Sequence, residues 1–336
     1  MAATPSADDA TGPLRELMQE GRFADALAAF RALPEAVVVR RPDAQLLAAT
    51  AATRLGELAT AEELAGAALE QFQARGDADG RLRSLNLLGV VYSDRGRMQD
   101  AERVLAEALG LANQLGDSLL AARANNNLAP AVYLRGRPDE ALGLYRGALL
   151  AYQRLGDRRG AAEAYHNLGL IFRQLGDWRN AEDATSAALR HAELVGERGL
   201  LALATTGRAE LMVERAQFTQ ARQELDRAER WAEEAGDEIG VGEVRRVRAL
   251  AALRGRDYAK AFEHAEVGRA AALECGAALL AAECSAIAAL ALRALGRSNE
   301  AAARKSEAED GFRALSAVGL LERLGRDWAA GTSSSH

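Results

Sequence analysis

Glycine recurs every twenty residues from Gly56 to Gly296, filling 11 of 13 slots and missing only at Ala216 and Arg256. Glycine supplies 31 of the 336 residues, so a run this regular requires a structural unit that repeats along almost the whole chain. Two slots make one unit of forty residues. Each unit of such an array must bury its apolar face against the next, which gives a single elongated body with a continuous core and no internal domain boundary.

Composition selects the element. Hydrophobic residues make up 49% of the chain but aromatics only 5%, so the core is largely Ala and Leu, side chains that favour closely packed helices. An all-α fold is expected. The 42 basic and 48 acidic residues leave a net charge of -6, without the global basic field that draws proteins to nucleic acid. Residues 1–13 lack the basic and apolar regions of a secretory signal, and no run of eighteen apolar residues occurs, so a cytoplasmic chain with no membrane partner is expected. Cys275 and Cys284 have no His or Cys at metal-ligand spacing and read as reduced, buried thiols on successive helices, with no metal and no cofactor implied.

The half unit can be read residue by residue. After Asp157, the residues Tyr165, Leu168, Gly169, Phe172 and Leu175 fall at steps of three and four, which predicts one helix with a single apolar stripe, helix A. Past Gly176, the residues Ala181, Ala184, Ala188, Leu189 and Ala192 predict a second, helix B, ending near Gly196. Five joints pair glycine with aspartate, at 76–77, 116–117, 156–157, 176–177 and 236–237. Glycine adopts the left-handed conformation that ends one helix, and the aspartate side chain accepts backbone N–H groups that open the next. At the 136 joint Pro138 suits the first helical turn, where its missing N–H is not needed.

These residues resemble the tetratricopeptide repeat family. Tyr165, Leu168, Gly169, Phe172, Gly176, Trp178, Ala181 and Ala188 fit its pattern, and the same slots hold Leu85, Leu88, Gly89, Tyr92, Gly96, Met98, Ala101 and Ala108. Leu128, Ala129, Val132, Gly136, Ala141 and Ala148 follow it more loosely. Gly or Ala in the middle of helix A lets helix B approach closely. The forty-residue period and the missing unit-ending proline depart from the family's usual pattern, and are similar to the extended repeats of bacterial regulators, kinesin light chains and peptide-sensing regulators of Gram-positive bacteria.

The resemblance implies an all-α, right-handed superhelical solenoid of antiparallel helix pairs. About eight units are expected, centred near 21, 56, 96, 136, 176, 216, 255 and 296, with a shortened link through Pro34 and Pro42. Residues 9–317 form the array and 318–330 a C-terminal capping helix, with Leu320, Leu321, Leu324 and Trp328 available to cover the last apolar face. Residues 1–8 and 331–336 are expected to be disordered. Arg208 stands in a slot usually held by leucine, and Gly255 to Tyr258 reads as one residue longer than Gly176 to Trp178, so the pattern leaves the register of the units around 216 and 255 open.

By the same resemblance, helix A lines the concave face, and the candidate groove residues are Asn86, Arg123, Asn126, Asn127, Pro130, His166, Asn167 and Arg173. Asparagine recurs there in three consecutive units. Its amide is both donor and acceptor, so a ladder of asparagines can bind the backbone of an extended peptide; the alternative is a set of tolerated polar residues on a wet face. Pro130 cannot donate to the Asn126 carbonyl, so a helix break or kink is expected that shapes the groove or adjusts curvature. Arg245 and Arg246 would form a basic patch for an acidic segment or C-terminus if they point inward, or would pair with Glu210, Glu243 and other neighbours.

No nucleophile and base, carboxylate pair, metal cluster or phosphate loop is legible, so catalysis is not expected. The leading reading is a scaffold or adaptor holding a peptide segment of a partner protein in the concave groove. Two further classes stay open: a ligand- or peptide-responsive sensor acting through another polypeptide, and a self-associating structural protein.

Overall fold

The computed structural model describes residues 11–330, and all regular elements among them are α-helices. The ends expected to be disordered, 1–8 and 331–336, lie outside the described residues. The first pair is α1 (Gly12–Gln19) with α2 (Phe23–Arg31), followed by a one-turn helix α3 (Glu35–Val38) in the shortened link. Seven longer pairs follow: α4 (Pro42–Arg54) with α5 (Leu58–Ala74), α6 (Ala78–Asp94) with α7 (Met98–Leu115), α8 (Ser118–Leu134) with α9 (Pro138–Leu155), α10 (Arg158–Gln174) with α11 (Trp178–Val195), α12 (Arg198–Glu214) with α13 (Phe218–Glu234), α14 (Glu238–Arg254) with α15 (Tyr258–Cys275) and α16 (Ala278–Ala294) with α17 (Ser298–Ala314). Helix α18 (Val318–Ala330) ends the described chain.

The joints work as their residues require. Asp77, Asp117, Asp157, Asp177 and Asp237 each accept a backbone N–H of the following helix, as does Asp257, and Pro138 is the first residue of α9. The glycine slots are left-handed, and so are their replacements: Ala216 has φ 58°, Arg256 φ 63° and Ser316 φ 55°. The register left open around 216 and 255 is therefore continuous with the rest of the array. Gly255 has φ -77° and ends α14, while Arg256, Asp257 and Tyr258 play the parts of Gly176, Asp177 and Trp178. The period is set by a backbone conformation, and glycine is only its commonest occupant.

Close approach of the two helices in a pair rests on the small residue of helix A. A Cβ on Gly89 would collide with Leu105 of α7, and one on Gly169 would fall 2.8 Å from Thr185 Oγ1 of α11. Leu168 and the five alanine and leucine positions of α11 are buried, but Leu175 is 50% exposed and leaves the apolar stripe at the helix end. First helices also pack on one another, α4 on α6, α6 on α8, α10 on α12, α12 on α14 and α14 on α16, and so build the inner wall. The step from α8 to α10 is the loosest, and α8 runs unbroken through Pro130.

After one superhelical turn the array meets itself. A Cβ on Gly56 would lie 2.7 Å from Cys275 Sγ, and one on Gly96 would run into Leu315 and sit 2.9 Å from Ala278 Cβ. The largest apolar cluster accordingly joins Ala49, Leu85 and Leu128 to Phe312, Leu315 and Leu324. Of the residues expected to close the last face, Leu324 is buried and Leu320 and Leu321 pack on that cluster, while Trp328 stacks under Arg293 and Lys305. Helix α18 also reaches back across the interior, where Arg323 meets Glu214 of α12 at 3.3 Å.

Candidate inner-wall binding site

Two cavities lie along the inner wall. The first, of about 390 Å³, is lined by α1, α4, α6 and α8 and by the start of α10, with Asn86, Arg123 and Asn127 in its surface beside Arg15, Arg54, Arg83 and Arg159. Helical periodicity places these side chains together: Arg83 and Arg123 occupy equivalent positions of consecutive units, as do Asn86 and Asn126.

The asparagines are tied to each other. Asn127 donates its Nδ2 to Oδ1 of Asn86 at 3.2 Å, and Asn167 donates to Oδ1 of Asn126 at 3.3 Å. Each bond joins first helices of successive units, and the second bridges the loose α8 to α10 step. Asn126 is buried, whereas Asn86 and Asn127 reach the cavity and keep the remaining donor and acceptor capacity of their amides.

The second cavity, of about 410 Å³, lies between α10, α12, α14, α16 and α18. At its base Glu210, only 4% exposed, accepts from Arg246 at 3.0 and 3.2 Å and meets Arg173 at 2.6 Å. Burial opposes charge on Glu210, but the two guanidinium groups overcome it and hold its pKa well below the ordinary glutamate value. Arg246 also meets Glu243 at 2.8 Å and Glu283 at 3.5 Å. Desolvation dominates at Glu283 and pushes its pKa up to about 7. Next to this network, His166 packs against Gly207, and burial, with help from Arg173 and Arg246, lowers its pKa to about 4. His166 is thus neutral near pH 7.

The residues anticipated for the groove therefore divide. Asn86, Arg123 and Asn127 line the first cavity, and Arg173 and Arg246 line the second. Asn126, His166 and Asn167 link neighbouring first helices beside the wall, and Pro130 sits half-buried in α8. Arg245 stands apart from both cavities, turned to α13, where it meets Glu229 at 2.6 Å. Of the two alternatives for Arg245 and Arg246, the structure has the pairing with acidic neighbours and not the basic patch: one pairs outward with Glu229, the other is enclosed by Glu210, Glu243 and Glu283. Arg15, Arg54 and Arg159, which complete the first cavity, carried no local signal; a forty-residue comparison of helix A positions finds Arg83 and Arg123 only.

A third cavity, of about 620 Å³, separates α18 from Tyr133, Arg173 and Trp178, at the α8 to α10 step. Among the described residues no group of His, Cys, Asp and Glu is arranged to hold a metal ion, and no helix is long and apolar enough to cross a membrane.

The family model for the tetratricopeptide repeat matches residues 41–114 and 120–193. No curated protein matches the chain. Among solved structures it is similar to a Rap protein complexed with competence and sporulation factor, with a TM-score of 0.75 at 16% identity over 94% of this chain and 89% of that one. It is also similar to the Rap conjugation gene regulator of the plasmid pLS20 in complex with the Phr* peptide, with a TM-score of 0.64 at 12% identity over 97% and 98%. Aspartyl phosphate phosphatase F from Bacillus subtilis gives a TM-score of 0.51 at 14% identity over 98% and 94%. At such identities the likeness bears on the fold alone.

Proposed function

We propose that this chain, whose residues 41–114 and 120–193 match the tetratricopeptide repeat model, is a non-catalytic interaction protein that holds an extended peptide segment along its inner wall. The observation that carries this reading is the first cavity, where side chains from the first helices of four consecutive pairs, and from α1, converge on one concave surface. Asn86 and Asn127 present amide groups there that can meet a peptide backbone without regard to its sequence, and Arg123 adds a charged donor. That one solved protein of similar fold holds the Phr* peptide supports the reading by analogy of fold.

The test is a lysate pull-down read by mass spectrometry, comparing wild type with an Arg123→Glu, Asn127→Ala variant verified as helical by circular dichroism. A partner retained by wild type and lost by the variant is expected. Retention of the same partner by both proteins would move the binding surface off the inner wall.

The contact of the superhelix with itself favours a sensor over a passive scaffold. The turns at Gly56 and Gly96 close on α15 and on the start of α16 and end of α17, so a ligand inside the array acts on a closure that it can strengthen or loosen.

A further inference from the structure

We infer that the ligand of the inner wall is itself polarised, with an acidic end held in the first cavity and an apolar end in the second. This rests on the peptide-binding reading above and adds the ligand's chemical class and its orientation.

The two cavities treat charge in opposite ways. In the first, the carboxylates of the lining are already engaged: Asp43 with Arg41 at 3.1 Å, Asp157 with the Gly160 N–H at 3.0 Å, and Glu163 with Arg159 at 3.3 Å. Arg15, Arg54 and Arg123 line the same space, and among the described residues no carboxylate comes within 4.0 Å of them. In a chain of net charge -6, most inward arginines are compensated; Arg54 also opposes the more distant Asp94 and Asp237, whereas Arg15 and Arg123, both exposed, leave forked donors directed at solvent. A carboxylate placed there gains charge-assisted hydrogen bonds and displaces no internal ion pair.

In the second cavity the cations are spent. Arg173 and Arg246 share Glu210, and Arg254 and Arg323 share Glu214 at 3.7 and 3.3 Å; Arg256, exposed at the rim, is the exception. What remains for a ligand is the apolar surface of Leu250, Leu253, Ile287 and Leu290 together with Leu320 of α18. An acidic group entering here competes with Glu210 and Glu214 for arginines already neutralised, while an apolar side chain removes water from aliphatic surface.

Helix α10 connects the two spaces, carrying Glu163 in the first and Arg173 in the second. Ten helical residues span about 15 Å, a length that roughly five residues of extended peptide cover. A short segment can therefore occupy both cavities at once.

The experiment uses the full chain and hexapeptide pools with blocked termini and two variable central positions, read by affinity selection and mass spectrometry. One pool carries two glutamates at one end and two leucines at the other, in both chain directions. A second replaces the glutamates with glutamines, a third replaces the leucines with serines, and a fourth replaces the glutamates with lysines. Wild type is expected to enrich the glutamate–leucine pool about tenfold over the second and third, and Arg123→Glu to reverse its preference toward the lysine pool. Equal retention of the glutamine and glutamate pools would overturn the acidic end while leaving peptide binding intact, and equal retention of the serine pool would overturn the apolar end. Retention of no pool by wild type would overturn the inference together with the peptide-binding reading beneath it.

Discussion

Glu210 shows how much one residue can hold between neighbouring repeats of the array. It binds Arg173 of the preceding first helix and Arg246 of the following one, so a single carboxylate ties three consecutive units. Each arginine is only 11% exposed, and neither could regain full hydration if the carboxylate charge were removed. Glu210→Gln is expected to cost about 3–5 kcal/mol, the usual penalty for leaving a buried charge without its partner. Glu62 makes a comparable pair of contacts to Arg95 and Arg97, but near the surface, and Glu62→Gln is expected to cost less than about 1 kcal/mol. Urea unfolding of the two variants side by side decides the matter; equal losses would show that burial of the Glu210 cluster contributes nothing. The sequence presented Arg245 and Arg246 as a pair, yet successive helical residues point about 100° apart. They face different neighbours for that reason, and only the packing of α13 against α14 tells which carboxylate each one meets.

At the scale of the element, a left-handed residue every twenty positions separates one helix from the next. Where Ala216, Arg256 and Ser316 stand in that conformation, each carries a steric penalty of roughly 1–2 kcal/mol that glycine would not. Glycine also loses more backbone freedom on folding, by roughly 0.5–1 kcal/mol. Replacing any one of the three by glycine is therefore expected to stabilise the chain by about 0.5–1 kcal/mol, and the triple variant by about the sum, since the sites are far apart. Chemical denaturation of the single and triple variants measures this, and unchanged midpoints would mean that the neighbouring contacts of these side chains outweigh the strain. The helix boundaries were legible because the same few residue types, glycine, aspartate and proline, act locally at most joints. The clamp of Glu62 by Arg95 and Arg97, repeated at Glu102 by Arg135 and Arg137, was not read from the sequence, although its recurrence at forty residues was there to be found.

For the molecule as a whole, the self-contact of the superhelix gathers charges from distant units. Asp94 at the end of α6 faces Asp237 and Glu243 of the α14 segment, with Arg54 of α4 as the opposing cation. Desolvation, with Asp237 adding to it and Arg54 working against it, pushes the Asp94 pKa up from 3.8 to about 7. A raised carboxylate pKa favours the folded state most when the group is protonated: its contribution is complete below about pH 3.8 and is lost as pH rises through 7. The stability of wild type relative to Asp94→Asn is therefore expected to fall between pH 4 and pH 7 and to level off above. His166 acts in the opposite sense, since its lowered pKa favours folding above 6.5 and loses that contribution as pH falls toward 4, so the comparison with Asp94→Asn is needed to isolate the closure. Thermal melts of both proteins across this range provide the test, and a difference that does not change with pH would remove Asp94 from the energetics of the closure.

By itself the sequence determined the helical pairs, their period, their joints and the small residues that let each pair close, because all of these follow from contacts within about forty residues and from backbone preferences that act locally. The resemblance to the tetratricopeptide repeat, carried by that period, also pointed to Asn86, Arg123 and Asn127 as inner-wall residues. Only the tertiary structure decided that the asparagines bond to each other across units, that Arg246 is enclosed by carboxylates while Arg123 is left open, and that the second and third pairs meet the seventh and eighth. Those outcomes depend on the curvature accumulated over a full superhelical turn and on which charges that curvature brings within a few ångströms. No local pattern encodes that sum, since a small change in the angle at each joint would carry the ends apart.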